Sequence, residues 1–415
     1  MAAAKEKKAR VALVKVEDDA EDVARGVREA LAAVDADRLL DGKRRVLIKP
    51  NILTNQPPER GVTTDPRVLG AIIDWLLEKG VQPEDVFVGE SSGGMGRDHT
   101  HKAFQASQIA ALCEEKGVRW APFESTELER VDLPNGAVLD HVHLSKEILA
   151  ADLIINVPKL KTHGQMVLTL CIKNMFGTMV KSVKPRMHSR FPDSLDFAKA
   201  LVDIFTASSP QLNVVDAVIA MEGNGPGRSG TPVLLNAVLA GTDPVAVDSV
   251  CSALAGVEPD LVYTTAEAAR RGLGTMDLDE IEVVGARVED VAKKFKIPGA
   301  HKLQRKLMAW FKGPVSFLMR KFAAPKWSVD ADKCDRDAVC VRSCPTKALR
   351  LPREGPPAWS KEKCIGCACC MELCPQGAIL VEIAGVKGIA PYVLPLLAAG
   401  VALLVGFGYF LAWLI

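Results

Sequence analysis

The sequence predicts a mixed α/β protein: a domain built on a mostly parallel sheet, then a small α+β cysteine-rich module, then one apolar C-terminal helix. Three observations carry this. Apolar strand-like runs alternate with amphipathic helical segments through roughly the first 290 residues. Eight of the eleven cysteines fall between Cys334 and Cys374. No charged residue occurs from Ile389 to Ile415. The boundaries that follow are 9–295 for the α/β domain, 296–328 for a basic amphipathic linker, 329–384 for the cysteine module and 389–415 for a transmembrane helix.

The α/β alternation starts with RVALVKV (10–16), a strand, and DAEDVARGVREALAAV (19–34), a helix with apolar residues at 3–4 spacing. RVLIKPN (45–51) is a short apolar run ending in polar residues. Pro66 opens a helix to about Lys79, with Asp65 as its N-cap. DVFVGE (85–90) is a strand that runs into the Gly-rich SSGGMG. ADLIINVPK (151–159) and LNVVDAVIA (212–220) repeat the pattern of apolar run and polar loop. VLLNAVLAG (233–241) precedes a helix from Asp243 to Ala255.

Charge is balanced, with 52 Lys and Arg against 51 Asp and Glu, which argues against a nucleic-acid partner. The clustered cysteines read as metal ligands in a reducing compartment, not as a disulfide framework. The start, MAAAKEKKARVALVKV, has no apolar signal core, so nothing there points to export.

Polar residues gather where the apolar runs end. Lys49 and Asn51 close the second run. Lys159, Lys161 and His163 follow IINVP, and Lys173 and Asn174 come in LTLCIKNMFG. Glu222, Gly223, Asn224 and Gly225 follow the run ending at Met221. Open α/β sheets bind ligands outside the carboxyl ends of their strands, so a shared site is expected there. Lys49, Lys159, Lys161 and Lys173 supply positive charge and the Gly-rich loops expose N–H groups, which suits a phosphate or carboxylate. Lys161, His163 and Lys173 are the candidate catalytic residues; Lys49, Asn51, Lys159, Asn174, Glu222, Gly223, Asn224 and Gly225 are the candidate substrate contacts. The alternative is that the lysines are solvated and His163 structural. GNGPGRSG lacks dinucleotide-fingerprint spacing, and no P-loop occurs. Cys113, Cys171 and Cys251 read as small buried hydrophobes, His99 and His101 as surface residues, and His141 and His143 as strand residues.

VLIKPNIL with GVTTDP, ADLIINVPKLKTHG with CIKNMFG, and VVDAVIAMEGNGPG with LAGTDPVAVDS resemble, in order, the motifs of the domain of unknown function 362 family. The resemblance spans roughly residues 9–290 and implies an iron–sulfur-linked role without a defined reaction.

The cysteine module repeats with an offset of 30 residues. Its second half is a complete C-x2-C-x2-C-x3-C-P run: Cys364, Cys367, Cys370, Cys374, Pro375. The first half has Cys334, Cys340, Cys344 and Pro345, with Asp337 in place of the second cysteine. This is the two-cluster ferredoxin signature, in which each fourth cysteine ligates the other cluster. One site is then Cys364, Cys367, Cys370 and Cys344, holding a 4Fe–4S cluster. The other is Cys334, Asp337, Cys340 and Cys374, holding a 3Fe–4S or an Asp-ligated 4Fe–4S cluster, because carboxylate is harder than thiolate. Cys369 is a spare thiol.

Residues 300–327 carry seven Lys or Arg and no Asp or Glu, with Leu303, Leu307, Trp310 and Phe311 on one helical face. That pattern suits a membrane surface, or alternatively a packed linker. Val393 to Ile415 would make a helix of about 34 Å, enough to cross a bilayer core, with Tyr392, Tyr409 and Trp413 toward its ends. The expectation is a single-pass protein of the cell membrane with its folded domains on the cytoplasmic side. It would pass electrons through two iron–sulfur clusters to a small anionic substrate in the α/β domain. The alternatives are a non-catalytic electron-transfer subunit or a redox sensor. The expected partners are a redox protein or a quinone-linked complex.

Overall fold

In the computed structural model, residues 9–94, 98–180, 183–298 and 326–382 are described. The core of the basic linker (300–325) and the apolar tail (389–415) lie outside them. Among the described residues, no helix is long and apolar enough to cross a membrane.

The first half of the α/β domain runs β1 (Ala9–Lys15), α1 (Ala20–Ala33), β2 (Val46–Pro50), α2 (Pro66–Glu78), β3 (Val86–Glu90), α3 (His99–Ala106), α4 (Ile109–Glu115) and β4 (Arg119–Pro122). A two-stranded pair follows, β5 (Leu128–Asp132) with β6 (His141–Ser145), then α5 (Lys146–Leu149). Next come β7 (Leu153–Val157), β8 (Lys159–His163), β9 (Val167–Thr169), α6 (Cys171–Asn174), α7 (Val183–Arg190) and α8 (Ser194–Ser208). The domain closes with β10 (Leu212–Gly223), β11 (Gly230–Gly241), α9 (Pro244–Leu254), α10 (Tyr263–Arg270), β12 (Ile281–Gly285) and α11 (Val288–Val291). The helix starts are those the sequence marks. Asp65 accepts the N–H of Arg67 with Pro66 in the first turn, and Asp243 accepts those of Val245 and Ala246 with Pro244 behind it.

The sheet has ten strands in the order β12-β1-β11-β10-β7-β2-β3-β4, with β8 beside β10 and β9 beside β8. It is mostly parallel, as expected, with two inverted strands, one of them β9 against β8. β11 runs antiparallel to both β10 and β1. The connection 224–229 is a tight turn, too short for the crossover a parallel neighbour needs. Side chains alternate across the sheet. Val46, Ile48, Val86, Val88 and Ile155 pack under α1, α2 and α4. Leu47, Phe87 and Ile154 face the opposite layer with α8. α9 covers β1, β10 and β11.

One correction concerns residues 159–163, read from the sequence as a polar loop. KLKTH forms strand β8, every residue buried, with Lys159 paired to Asp216 and Lys161 to Met221 of β10. The polar heads are accommodated because each finds a partner inside the domain.

β2 leads through α2 to β3 on one side, while β7 lies on its other side. The chain therefore turns opposite ways from β2 and β7, and a crevice opens at their carboxyl ends.

The cysteine module begins with β13 (Lys326–Val329) and contains α12 (Val339–Arg342), β14 (Leu349–Arg350), β15 (Ala358–Trp359), α13 (Cys369–Glu372) and β16 (Ile379–Glu382), with β13 beside β16. Its two halves share a backbone. The left-handed residues Arg336, Ala338 and Lys347 (φ 61°, 57° and 53°) recur as Gly366, Ala368 and Gly377 (φ 70°, 60° and 61°). The residues through Pro298 and those from Val329 to Ile379 form one compact unit; 299–328 and 380–415 fall to a second.

Candidate functional site

The crevice holds a cavity of about 80 Å³, room for several waters or a small ligand. Its walls come from Asn51 after β2, Ser91 after β3, Lys161 on β8, Lys173 and Asn174 on α6, Lys184 and His188 on α7, and Cys369 and Glu372 on α13. A larger hollow of about 320 Å³ lies at the opposite, amino ends of β2 and β3. Its rim charges are mostly solvent-exposed, as in the loose Arg119–Glu147 pair at 3.6 Å.

A chain of amides positions the floor. Lys161 Nζ donates to Asn51 Oδ1 (2.7 Å) and to the Val62 carbonyl (2.7 Å). Asn51 Nδ2 donates to Asn174 Oδ1 (2.9 Å), Asn174 Nδ2 to Asn156 Oδ1 (2.7 Å), and Asn156 Nδ2 to Asn213 Oδ1 (2.9 Å). The KPN, INVPK and IKN segments, far apart in sequence, thus form one buried network. Asp248 holds α6 in place by accepting the Cys171 N–H at 2.7 Å. Burial pushes the Asp248 carboxyl up to about 7.

Two of the expected substrate cations are not available. Lys49 is fully buried and pairs with Glu90 at 2.5 Å; Lys159 is fully buried and pairs with Asp216 at 2.7 Å. A desolvated ammonium needs a carboxylate beside it, and the fold supplies one to each. A Cβ on Gly177 would run into the Lys49–Glu90 pair, which explains a glycine at that point of CIKNMFG. The EGNGPG loop is a second correction. Glu222 binds the backbone and side chain of Lys296, and the Gly223 carbonyl accepts from Thr162 Oγ1 at 2.9 Å. Of that loop, only Pro226 reaches the cavity wall.

The lysines that do line the cavity have neutral partners. Lys184 donates to the carbonyls of Ser91 and Ser92. Lys173 lies over the Phe176 ring, 5.8 Å from its centroid. Burial lowers all three: Lys184 to about 8, Lys173 below its ordinary value, and Lys161 well below its ordinary range, with Lys173 and Lys159 adding like-charge repulsion to Lys161. Burial outweighs the nearby carboxylates, Glu372 beside Lys161 and Lys173 and Glu90 and Glu124 beside Lys184.

His163 accepts the N–H groups of Gln165 and Met166 at Nδ1. Its proton therefore sits on Nε2, which faces Glu372 Oε1 at 3.4 Å. Burial pushes Glu372 up to about 7. His188, bonded to Gln165 and stacked on Phe197, is held at about 3 by burial. Sequence reasoning missed Lys184, His188 and Glu372. Glu372 lies inside the cysteine run, where the ligands drew the eye, and Lys184 and His188 lie on a polar helix with no strand-end signal.

Glu372 belongs to the cysteine module, so the complete run forms part of the cavity wall. The module is seated by Arg228 Nη1 and Gln56 Nε2, which donate to the Pro375 carbonyl at 2.9 and 3.3 Å. Gly227 packs so closely on the Glu372 carbonyl that a Cβ would clash.

The module's donors fit iron–sulfur clusters. Ala348 and Ala378, equivalent in the repeat, donate their N–H to Cys344 and Cys374 sulfur at 3.1 and 3.3 Å. Asp337, at the position that Cys367 holds in the other half of the repeat, accepts the Val339 N–H at 3.0 Å, so its carboxylate stands where the repeat puts a ligand sulfur. The outlying histidines and cysteines have local roles. His99 Nδ1 meets Ser92 Oγ at 2.7 Å, His101 stacks on Trp120, and Cys113, Cys171 and Cys251 are buried.

Comparison with known proteins agrees with both parts. Residues 326–375 match a 4Fe-4S dicluster domain. Short segments resemble the iron-sulfur subunit of an arsenate respiratory reductase from a Shewanella species, 46% identical over 46 residues (11% of this chain, 19% of that protein), and an indolepyruvate oxidoreductase subunit from Methanothermobacter thermautotrophicus, 40% identical over 55 residues (13% and 9%). The module is thus an iron–sulfur electron-transfer domain. A solved structure, the lactate racemase apoprotein from Thermoanaerobacterium thermosaccharolyticum, is similar at TM-score 0.40 and 12% identity over 61% of this chain and 59% of that one, too distant to bear on function. A thylakoid-associated protein of Synechocystis sp. is 30% identical over 260 residues, 61% of this chain and 76% of that protein. Residues 46–253 match the model described as Domain of unknown function (DUF362), and on these two matches the chain belongs to that family.

Proposed function

We propose that this protein is an iron–sulfur oxidoreductase, held at the membrane by residues 389–415, that passes electrons through two clusters to a small anion in the crevice cavity. The single observation behind this reading is that the complete cysteine run walls a cavity lined by Lys161, Lys173 and Lys184, none of them paired with a carboxylate. An anion there would add to the negative charge that Glu372 already brings to this wall and favour the lysines' protonated forms. The clusters supply electrons one at a time. Lys161 and Lys173 would bind the anion, the asparagine chain would orient Lys161, and His163 would hold a proton at Nε2. Glu372 would close the wall against water. The cluster-ligand sets are those given above, and the partner is a redox protein or quinone-linked complex at the membrane.

Acetate and inorganic phosphate, titrated calorimetrically into anaerobically reconstituted protein in detergent, test the site. Lys161→Met and Lys173→Met should each weaken binding about tenfold or more, or about 1.4 kcal/mol. Unchanged affinity in both, or no binding of either anion and no co-purifying anion by mass spectrometry, rules the site out. The local likeness to an arsenate reductase iron-sulfur subunit favours a second reading, an electron-transfer subunit with no substrate of its own.

A further inference from the structure

Two serines follow β3, and their hydroxyls are used differently. Ser92 Oγ meets His99 Nδ1 at 2.7 Å and Thr100 Oγ1 at 3.0 Å. Ser91 Oγ is buried and has no hydrogen-bond partner among the described residues. The backbone of Ser91 is fully engaged. Its N–H donates to the Gly177 carbonyl at 3.0 Å and to Glu90 Oε1 at 2.8 Å, and its carbonyl accepts from Lys184 Nζ. Only the hydroxyl is left over, on a residue of the cavity wall. A buried hydroxyl without a partner is costly, so it marks a place where a ligand completes the bond. Lys184, on the same wall, donates to the Ser91 and Ser92 carbonyls and keeps a third ammonium N–H among the described residues.

Ser91 and Lys184 form a second polar end of the cavity, apart from Lys161. β7 and β8 pair with β10 one after the other, β2 lies beside β7, and β3 lies beyond β2. The lanes of Lys161 and Ser91 are therefore two strand spacings apart, about 10 Å at the backbone. Lys173 repels both Lys161 and Lys184, which puts it between the two ends. At roughly 10–15 Å³ for each water-sized group, the cavity of about 80 Å³ takes about five to eight non-hydrogen atoms. Three lysines and one carboxylate, Glu372, line it, so a dianion closes the formal charge of the walls.

We propose that the cavity takes a short dicarboxylate, of the size of oxalate or malonate. One carboxylate meets Lys161 and Lys173, and the other meets Ser91 Oγ and Lys184. This rests on the reading of the cavity as an anion site and names the class of anion. A monocarboxylate leaves the Ser91 hydroxyl unpaired, and a compact tetrahedral ion engages one end only. Ser91 is then the residue that selects a two-ended anion.

Calorimetric titration of the anaerobically reconstituted full chain in detergent, with acetate, oxalate, malonate and inorganic phosphate, tests this. In wild type, oxalate or malonate should bind about tenfold or more tighter than acetate and phosphate. Ser91→Ala should lower dicarboxylate affinity about tenfold while acetate affinity stays within about twofold. Phosphate binding tighter than both dicarboxylates overturns the proposal. So does unchanged dicarboxylate affinity in Ser91→Ala, or an equal loss for acetate and dicarboxylate. Should Ser91→Ala fail to fold, Lys184→Gln decides on the same criteria. Acetate binding with no preference for a dicarboxylate sinks this proposal alone; failure of every anion to bind sinks the anion site with it.

Discussion

Asp337 Oδ1 accepts the backbone N–H of Val339 at 3.0 Å, at the position that Cys367 holds in the other half of the repeat. The carboxylate is held in the position of a ligand, not turned to solvent. Asp337→Cys should therefore keep the module's backbone and supply a fourth thiolate. Reconstituted Asp337→Cys should gain iron relative to wild type, and its spectrum should show two all-thiolate 4Fe–4S signals. If wild type already shows two such signals with full iron, oxygen ligation at this corner is wrong.

Lys49 and Glu90 are both removed from water, so neither is tolerable alone. Lys49→Met should destabilise the α/β domain by about 3–5 kcal/mol, since it leaves a buried carboxylate unpaired. Adding Glu90→Gln to that variant should recover a large part of the loss. Denaturant unfolding monitored at Trp75 and its neighbours reads this; a loss under about 1 kcal/mol would mean the pair is solvated.

His188 is held at about 3 by burial, against an ordinary 6.5. It is neutral in the folded protein, while the unfolded chain takes up a proton below about 6.5. Stability from this group is full above that value and falls as pH drops toward 3. Between near neutrality and about pH 5, wild type should lose about 2 kcal/mol more than His188→Gln. Unfolding curves at the two pH values check it; parallel losses in the two proteins would show that His188 is solvated.

Gly227 lies against the Glu372 carbonyl with no room for a Cβ. Gly227→Val should push the module off its seat and expose the Arg228–Pro375 contact. Limited proteolysis should then cleave near the module several times faster, while the α/β domain unfolds at the same denaturant concentration. Equal proteolysis rates would mean that the neighbouring chain simply gives way.

Much of the architecture was legible because it depends on near neighbours. Capping by Asp65 and Asp243 needs only the residues beside them, and so do the strand runs 46–50, 86–90 and 153–157. The cysteine spacing is likewise local, since three ligand positions of each cluster, 334, 337 and 340 or 364, 367 and 370, come from one short run and only the fourth from the other. The candidate site was half legible. Asn51, Lys161, Lys173 and Asn174 do converge on one cavity, whereas Lys49, Lys159 and Glu222 are taken by Glu90, Asp216 and Lys296. A lysine bound for a substrate and one bound for a buried carboxylate have the same local pattern, because the partner is 41 or 57 residues away in the chain.

From sequence alone came the α/β class, the two unequal cysteine runs and the uncharged tail, all set by periodicity, ligand spacing and composition over short windows. Only the tertiary structure decided which lysines are spent on internal ion pairs and which face the cavity. It also placed Glu372 and Cys369 of the cysteine module on that cavity's wall. The reason is physical: desolvation and hydrogen bonding depend on what surrounds a side chain in space, and here the surroundings come from segments hundreds of residues apart.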